Sequence, residues 1–139
     1  DQIVALARSW IGTPYRHQGS ARWAGSDCLG LIRGVWRDLH GLEPEDVPAY
    51  SLDWSEPQRD EALWRAARRH MVEKPAVRMV PGDVLLFRMR DGSVAKHMGI
   101  LARGGAESSF VHAYSRHGVV ESALSAPWFR RVVAVFEFP

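Results

Sequence analysis

The chain has 139 residues, 46% of them hydrophobic and 24% charged, so we expect one domain, residues 1–139, with its own hydrophobic core. No apolar run approaches the roughly 20 residues that a transmembrane helix needs, and the single cysteine excludes an internal disulfide and a multi-cysteine zinc site. The formal net charge of +2 is a small excess, more typical of a solvated surface than of a nucleic-acid interface.

Two helices are predicted near the N-terminus. Apolar residues at helical spacing predict the first helix over residues 2–10, and a polar loop follows over residues 13–26. The second helix is predicted to begin at Cys28 and to end at Gly41, because glycine is favoured just past the end of a helix. Either residue of the preceding pair, Ser26-Asp27, can cap its start and fix the backbone around Cys28.

The second half of the chain changes from helical to strand-like character. After an irregular stretch from residue 42 to 54, Ser55-Glu56-Pro57 predicts the start of a third helix that runs to about His70. Strand-like segments then follow at residues 84–88, 97–102, 110–114, 119–122 and 132–138, with turns at Asp91-Gly92, Gly104-Gly105 and His117-Gly118. This order predicts an α+β fold in which N-terminal helices pack on a C-terminal antiparallel β-sheet.

The cysteine lies where a polar loop becomes a helix. A helix N-terminus offers unpaired N–H groups and the positive end of the helix dipole, and both favour the thiolate that attacks carbonyl carbons. A lone cysteine is more often an inert buried residue. Here His97 and His112, each in a strand-like segment, provide candidate bases, so we predict a nucleophile–base system with Cys28. The other histidines, His17, His40, His70 and His117, are expected at turns, helix ends or the surface.

The predicted sheet also predicts how the two histidines lie relative to each other. A hairpin centred on Gly104-Gly105 would put His97 directly opposite His112, with Cβ atoms roughly 4.5–5.5 Å apart. Residues 106–109 can shift this register, and a slip of one residue would reverse the face. With the register kept, the His112 ring can hold the His97 ring in one tautomer.

Five short motifs resemble those of the NlpC/P60 cysteine peptidases and occur in the order of that family. They are Pro14-Tyr15-Arg16, Asp27-Cys28-Leu29-Gly30-Leu31, Pro81-Gly82-Asp83-Val84-Leu85-Leu86-Phe87, His97-Met98-Gly99-Ile100 and Phe110-Val111-His112-Ala113. The resemblance implies a compact papain-like fold and hydrolysis of bacterial wall peptides, commonly at the γ-D-glutamyl–diaminopimelate bond.

The same resemblance implies a role for each residue of the site. Cys28 would be the nucleophile, His97 the base and His112 the residue that orients the base. Tyr15 and Asp27 fall on the substrate and oxyanion side of the site, where the Tyr15 hydroxyl can help to stabilise the oxyanion. No cofactor is expected, and no metal either, since the chain has no His-Glu-x-x-His pattern and no cysteine pair.

The long segment from Leu42 to Pro75, together with the lack of wall-binding repeats, looks most like the phage-tail and gene-transfer-agent branch of the family. That branch implies peptidoglycan peptide as substrate and tail-tip or hub proteins as partners, without direct nucleic-acid contact. The expected location is the tail of a virion-like particle, acting in the periplasm or at the cell wall. We expect synthesis in the cytoplasm, since no signal peptide is visible, although the chain begins at Asp1 and processing or trimming can hide one.

Other interpretations stay open at this stage. A tail or wall-docking module with the same fold and little turnover is opposed only by the intact trio of Cys28, His97 and His112. An acyltransferase like lecithin:retinol acyltransferase is less favoured, because there the histidine motif precedes the cysteine. Nucleic-acid binding ranks last, since the basic excess is small.

Overall fold

The longer helices precede the strands of the main sheet along the chain in the computed structural model, which describes residues 1–44 and 61–139. Helix α1 spans Gln2–Arg8, and helix α2 spans Cys28–His40. Between them, β1 (Ser20–Ala21) and β2 (Gly25–Ser26) form a small antiparallel hairpin that the sequence pattern did not predict. The polar loop therefore contains a short ordered element directly before the second helix.

The predicted bounds of the second helix are confirmed. It begins at Cys28, and Gly41 follows it with a φ of 86°, a conformation that glycine adopts without steric cost. Helix α3 spans Ala62–His70, so the predicted end of the third helix is confirmed. Its predicted start at Ser55-Glu56-Pro57 lies outside the described residues.

A six-stranded antiparallel sheet follows, and the predicted α+β fold is confirmed. The strands and the short helix that precedes the last of them are β3 (Val72–Lys74), β4 (Val84–Phe87), β5 (His97–Arg103), β6 (Ser109–Tyr114), β7 (Gly118–Ala123), α4 (Ala126–Phe129) and β8 (Val132–Glu137). Their spatial order is β3-β8-β4-β5-β6-β7. The edge strand β3 was not predicted, because its three residues carry no apolar alternation.

Both faces of the sheet are buried, and strand β4 shows this most clearly. Val84 and Leu86 belong to the apolar cluster that includes the helices, whereas Leu85 and Phe87 belong to a second cluster on the opposite face. A strand buried on both faces reads as a continuous apolar run, as residues 84–87 do. Among the described helices, none has the length and apolar character needed to cross a bilayer.

Helix α2 packs on β5, the strand that begins with His97. Its apolar side, with Leu31, Ile32 and Val35 buried, faces the helix-side cluster. The packing brings the N-terminus of α2 to the start of β5, where the candidate catalytic residues meet.

Candidate active site

Asp27 fixes the backbone around the cysteine. One carboxylate oxygen accepts a hydrogen bond from the backbone N–H of Gly30 at 2.7 Å, which caps α2. The other oxygen accepts from the backbone N–H of Gln18, also at 2.7 Å. With 3% of its surface exposed, Asp27 ties the preceding loop to the first turn of the helix. These contacts show Asp27 as the cap of α2. The predicted place of Asp27 on the substrate side of the site stays a prediction.

Gly30 allows the loop to approach the helix closely. A Cβ atom at this position would lie 1.7 Å from the carbonyl oxygen of Gly19, so a larger residue cannot be accommodated without moving backbone. Ser20 Oγ donates to the Gly30 carbonyl at 2.6 Å and reinforces the same contact. The start of α2 is therefore held from two directions.

The half-buried Cys28 side chain lies against the first residues of β5. Its sulfur donates to the carbonyl oxygen of Lys96 at 3.4 Å, and the backbone N–H of Met98 also interacts with it. Since these two residues flank His97, the sulfur contacts the backbone on both sides of the candidate base.

His97 and His112 are in contact, but not through the predicted pairing. Strand register pairs Ile100 with Val111, so His112 lies across from Gly99, two residues beyond His97. The prediction of direct opposition is therefore wrong, whereas the prediction of a common face holds because a shift of two residues preserves the face. Nε2 of His97 lies 2.8 Å from Nδ1 of His112, with the rings at 81°.

Gly99 makes room for this histidine pair. A Cβ atom at residue 99 would lie 3.2 Å from the Cβ of His112 and 2.8 Å from Cδ2 of Phe110. Any side chain here would displace the strand or the ring that faces it. The Gly99 in the motif after His97 therefore has a steric role.

Sequence reasoning missed a third member of the hydrogen-bonded chain. Nε2 of His112 lies 2.9 Å from Oγ of Ser122, on the neighbouring strand β7. His112 itself is fully buried. The alternation of β7 puts Ser122 on the His112 face, but that signal appears only once the pairing of Phe110 with Ser122 is known.

Trp128, on helix α4, covers the histidine pair and was also missed. Its ring centroid lies 5.8 Å from that of His97, 5.1 Å from that of His112 and 5.6 Å from that of Tyr114. The Trp128 ring therefore shields part of both imidazoles from water. A helix of four residues has too little periodicity to be predicted.

Burial favours the neutral forms of both histidines. It lowers the pKa of His97 to about 3, with a further contribution from the neighbouring His112 ring. It also lowers the pKa of His112 to about 4, to which His117 adds. At neutral pH both rings are therefore uncharged, and each can donate one hydrogen bond and accept one.

The cysteine is also neutral at rest, which corrects the prediction of a resting thiolate. Burial raises the pKa of the Cys28 thiol to about 12, and the Asp27 carboxylate raises it further. The backbone N–H groups of Met98, Leu29 and Cys28 itself act in the opposite direction but do not compensate. A slow reaction with a small thiol probe is consequently expected even of an active enzyme, so turnover is the better test.

Tyr15 is half-buried beside Cys28. Residue 15 forms an isolated parallel bridge with Ser26, two residues before Cys28. Burial raises the pKa of the Tyr15 phenol to about 12, with smaller contributions from Cys28 and Asp27. The hydroxyl therefore stays protonated and can donate a hydrogen bond to a developing oxyanion.

The other four histidines lie outside this hydrogen-bonded chain. His17 Nδ1 lies 4.0 Å from the Asp27 carboxylate, and the ring of His117 stacks on that of Tyr114 at 5.3 Å. His40 and His70 are the last residues of α2 and α3. Within residues 1–44 and 61–139, no group of three His, Cys, Asp or Glu side chains is arranged to hold a metal ion.

Comparison with known proteins gives one family. The model of the NlpC/P60 family matches residues 12–137. "Murein DD-endopeptidase MepS/Murein LD-carboxypeptidase" of Escherichia coli (strain K12) is 30% identical over 130 residues, which cover 94% of this chain and 57% of that protein. "Gamma-DL-glutamyl hydrolase" of Bacillus subtilis (strain 168) is 29% identical over 129 residues, covering 92% of this chain and 26% of that protein. The chain thus spans little more than half of the first relative and a quarter of the second.

Solved structures agree with this match. The NlpC/p60 domain of the peptidoglycan hydrolase SagA has a TM-score of 0.64 at 25% identity, and the alignment covers 98% of this chain and 96% of that domain. An NlpC/P60 family protein from Bacillus cereus ATCC 10987 has a TM-score of 0.66 at 18% identity, covering 98% of this chain and 39% of that one. The second comparison supports the fold alone.

Proposed function

The chain belongs to the NlpC/P60 family, and from that premise we propose that it is a cysteine peptidase that cleaves the stem peptides of bacterial peptidoglycan. The observation that carries the proposal is the contact of the Cys28 sulfur with backbone atoms on both sides of His97. The ring of His97 is in turn hydrogen-bonded to His112. The alternative, a docking module without turnover, gives no reason for holding two neutral imidazoles in contact beside a thiol.

The first chemical step follows from the neutral resting state. Because Nε2 of His97 is engaged by His112, Nδ1 is the ring nitrogen left to take the thiol proton. The thiol hydrogen, donated to the Lys96 carbonyl at rest, turns from that oxygen to the ring for the transfer. The proton transfers to His97 as the Cys28 sulfur bonds to the carbonyl carbon, since neither charged form is favoured beforehand. The carbonyl oxygen then carries the negative charge.

Two donors are available for that oxygen. The backbone N–H of Cys28 is in the first turn of α2, where no helical acceptor exists for it. The Tyr15 hydroxyl is the second donor, since its raised pKa keeps it protonated. A well-placed oxyanion donor contributes roughly 3–4 kcal/mol to transition-state stabilisation.

Collapse of the tetrahedral intermediate completes acylation. His97 gives its proton to the leaving amine, the C–N bond breaks, and the acyl group stays on the Cys28 sulfur as a thioester. Water, deprotonated by His97, then attacks the thioester and releases a carboxylic acid together with the regenerated thiol. Throughout the cycle His112 accepts a hydrogen bond from Nε2 of His97 and keeps the ring in place.

For the scissile bond we propose the γ-D-glutamyl–diaminopimelate linkage. The name of the Escherichia coli relative supports a murein substrate. The two names differ on the bond: a DD-endopeptidase and LD-carboxypeptidase in one case, a γ-DL-glutamyl hydrolase in the other. Mass spectrometry of purified muropeptides after digestion separates these outcomes.

The predicted products of that digestion are fragments that begin with diaminopimelate. Conversion of cross-linked dimers into intact monomers would instead assign the DD bond, and an unchanged muropeptide profile would support the docking module. Cys28→Ser is the matched control, because it replaces only the sulfur atom. Digestion with this variant should leave the muropeptide profile the same as that of the undigested material.

We further propose that the protein acts as a component of a phage-like tail that opens the wall during DNA delivery. The support is the resemblance of the long segment from Leu42 to Pro75 to the tail-associated branch. Proteomics of purified tail-like particles from the source organism tests this. The chain should be enriched with tail-tip or hub proteins, and its absence from the particles would contradict the placement.

A further inference from the structure

Ser122 continues the hydrogen-bonded chain beyond the histidine that orients the base. Nε2 of His97 is 2.8 Å from Nδ1 of His112, and Nε2 of His112 is 2.9 Å from the Ser122 hydroxyl. Each link joins groups that can either donate or accept, because neutral imidazole and hydroxyl both do. The direction of one bond therefore sets the direction of the other.

Catalysis requires one of the two directions. To take the thiol proton, Nδ1 of His97 must carry a lone pair, so its hydrogen must be on Nε2. That hydrogen is donated to Nδ1 of His112, which leaves the hydrogen of the His112 ring on Nε2. This hydrogen must then be donated to Ser122 Oγ.

The opposite direction disables the base. If the Ser122 hydroxyl donates to His112, that ring carries its hydrogen on Nδ1 and donates it to His97. His97 then has its hydrogen on Nδ1 and no lone pair for the thiol. The orientation of a single hydroxyl thus separates a competent from an incompetent tautomer of His97.

The position of Ser122 favours the competent direction. The half-buried residue lies on the wall of an open groove of about 670 Å³, bordered by Glu107, Ser108 and Ser125 among others. Water in that groove can accept the hydroxyl hydrogen, so the oxygen lone pair is left for the ring. His112 is fully buried, and among the described residues Ser122 is the partner of its Nε2.

We propose that Ser122 is a positioning residue that fixes His112, and through it His97, in the tautomer needed for proton transfer from Cys28. The proposal rests on the proposed function in one respect, the role of His97 as base. It goes beyond that function by assigning the directing group to strand β7, outside the five motifs that carry the family resemblance.

The test compares Ser122→Ala, Ser122→Thr and the control Ser125→Ala, which changes an exposed serine of the same groove whose side chain makes no capping bond. Nitrogen-15 NMR of the histidine rings reads the tautomer directly. Wild type, Ser122→Thr and Ser125→Ala should have the hydrogen of His112 on Nε2. Ser122→Ala should show a mixture of both tautomers.

Turnover of a muropeptide gives the second readout. Ser122→Ala should lower kcat about tenfold with KM unchanged, a part of the 10²–10⁴ that a positioned base contributes, and Ser122→Thr should stay within about twofold of wild type. An Ala variant with the wild-type tautomer, or a Thr variant as impaired as Ala, would overturn the proposal. A wild-type chain that cleaves no wall peptide would instead contradict the proposed function, while the NMR comparison still decides the role of Ser122.

Discussion

Nε2 of His97 and Nδ1 of His112 lie 2.8 Å apart, although the two residues are two register positions away from direct opposition in strands β5 and β6. The contact is diagonal across the ladder, and it depends on Gly99, which occupies the position that faces His112. The hydrogen bond therefore depends on the strand register, on the absence of a side chain at Gly99 and on the burial of His112.

Gly99→Ala should disrupt this contact. The new Cβ would meet Phe110 at 2.8 Å and His112 at 3.2 Å, so the strands must shift. Overpacking of this kind costs about 1–3 kcal/mol in the free energy of unfolding, and turnover should fall with it. Urea unfolding and muropeptide turnover measure the two effects. Gly104→Ala, in the same hairpin, meets only Pro81 at 3.9 Å and should be near neutral; equal losses in both variants would contradict the steric role.

His112 should be partly replaceable by an amide. In His112→Asn the side-chain carbonyl can accept the hydrogen on Nε2 of His97, whereas His112→Leu leaves that N–H without an acceptor. We expect kcat to fall about tenfold for Asn and by at least a further tenfold for Leu, within the 10²–10⁴ range of acid–base catalysis. Steady-state kinetics on a muropeptide give the comparison. Equal activity of the Leu variant and wild type would remove His112 from the site.

Stability should decrease with acid between pH 6.5 and about 4. Burial lowers the pKa of His97 to about 3 and that of His112 to about 4 in the folded chain, from the usual 6.5. Below pH 6.5 the unfolded chain therefore binds protons that the folded chain excludes. Stability present above pH 6.5 is lost as the pH falls, by up to about 1.4 kcal/mol per pH unit for each ring.

Denaturant unfolding between pH 5 and 7 isolates this effect, because most carboxylates keep their charge there. His112→Asn should reduce the slope of the free energy of unfolding against pH by about half. Phe129→Ala, which removes an exposed side chain that carries no titratable group, is the control and should leave the pH dependence unchanged. A flat profile for wild type over this range would contradict the burial of neutral rings.

Tyr15→Phe tests the oxyanion donor. Loss of the hydroxyl should lower kcat about 10²-fold with little change in KM, since the bond forms only as charge develops. The thermal midpoint should change little, because the ring keeps its packing. Tyr114→Phe removes a phenol near the histidine pair instead, and it should retain most of the activity. A Tyr15→Phe protein as fast as wild type would exclude Tyr15 from the oxyanion site.

Trp128→Ala should open the histidine pair to water. With burial reduced, the pKa values of His97 and His112 should rise toward 6.5, and the acid limb of the kcat/KM profile should move to higher pH. The free energy of unfolding should also fall, by less than the roughly 3–5 kcal/mol typical of a fully buried Trp. Phe129→Ala, which removes the exposed neighbour on the same helix, should leave the acid limb in place. An unshifted acid limb in Trp128→Ala would mean that a group other than Trp128 excludes water from His97 and His112.

The sequence predicted what is encoded locally. Asp27 and Gly41 mark the ends of α2 through capping chemistry, and the apolar run that begins at Val84 marks a strand, predicted over residues 84–88 and observed over Val84–Phe87. Because alternation in strands has a period of two, it also predicted that His97 and His112 share a face.

What could not be predicted depends on contacts between distant segments. The register of β5 against β6 is set by the turn after Arg103 and by the irregularity between Leu101 and Arg103. Ser122 and Trp128 reach His112 only after β7 and α4 are in place. The neutral state of the thiol follows from burial, which outweighs the local effect of the helix N-terminus.

The rate at which Cys28→Ala cleaves a defined muropeptide tests the central claim most directly. Sulfur is the attacking atom in the proposed mechanism, so the variant should keep its fold, by thermal midpoint, and lose turnover by at least about 10³-fold. Cleavage at the wild-type rate by a folded Cys28→Ala protein would contradict the account.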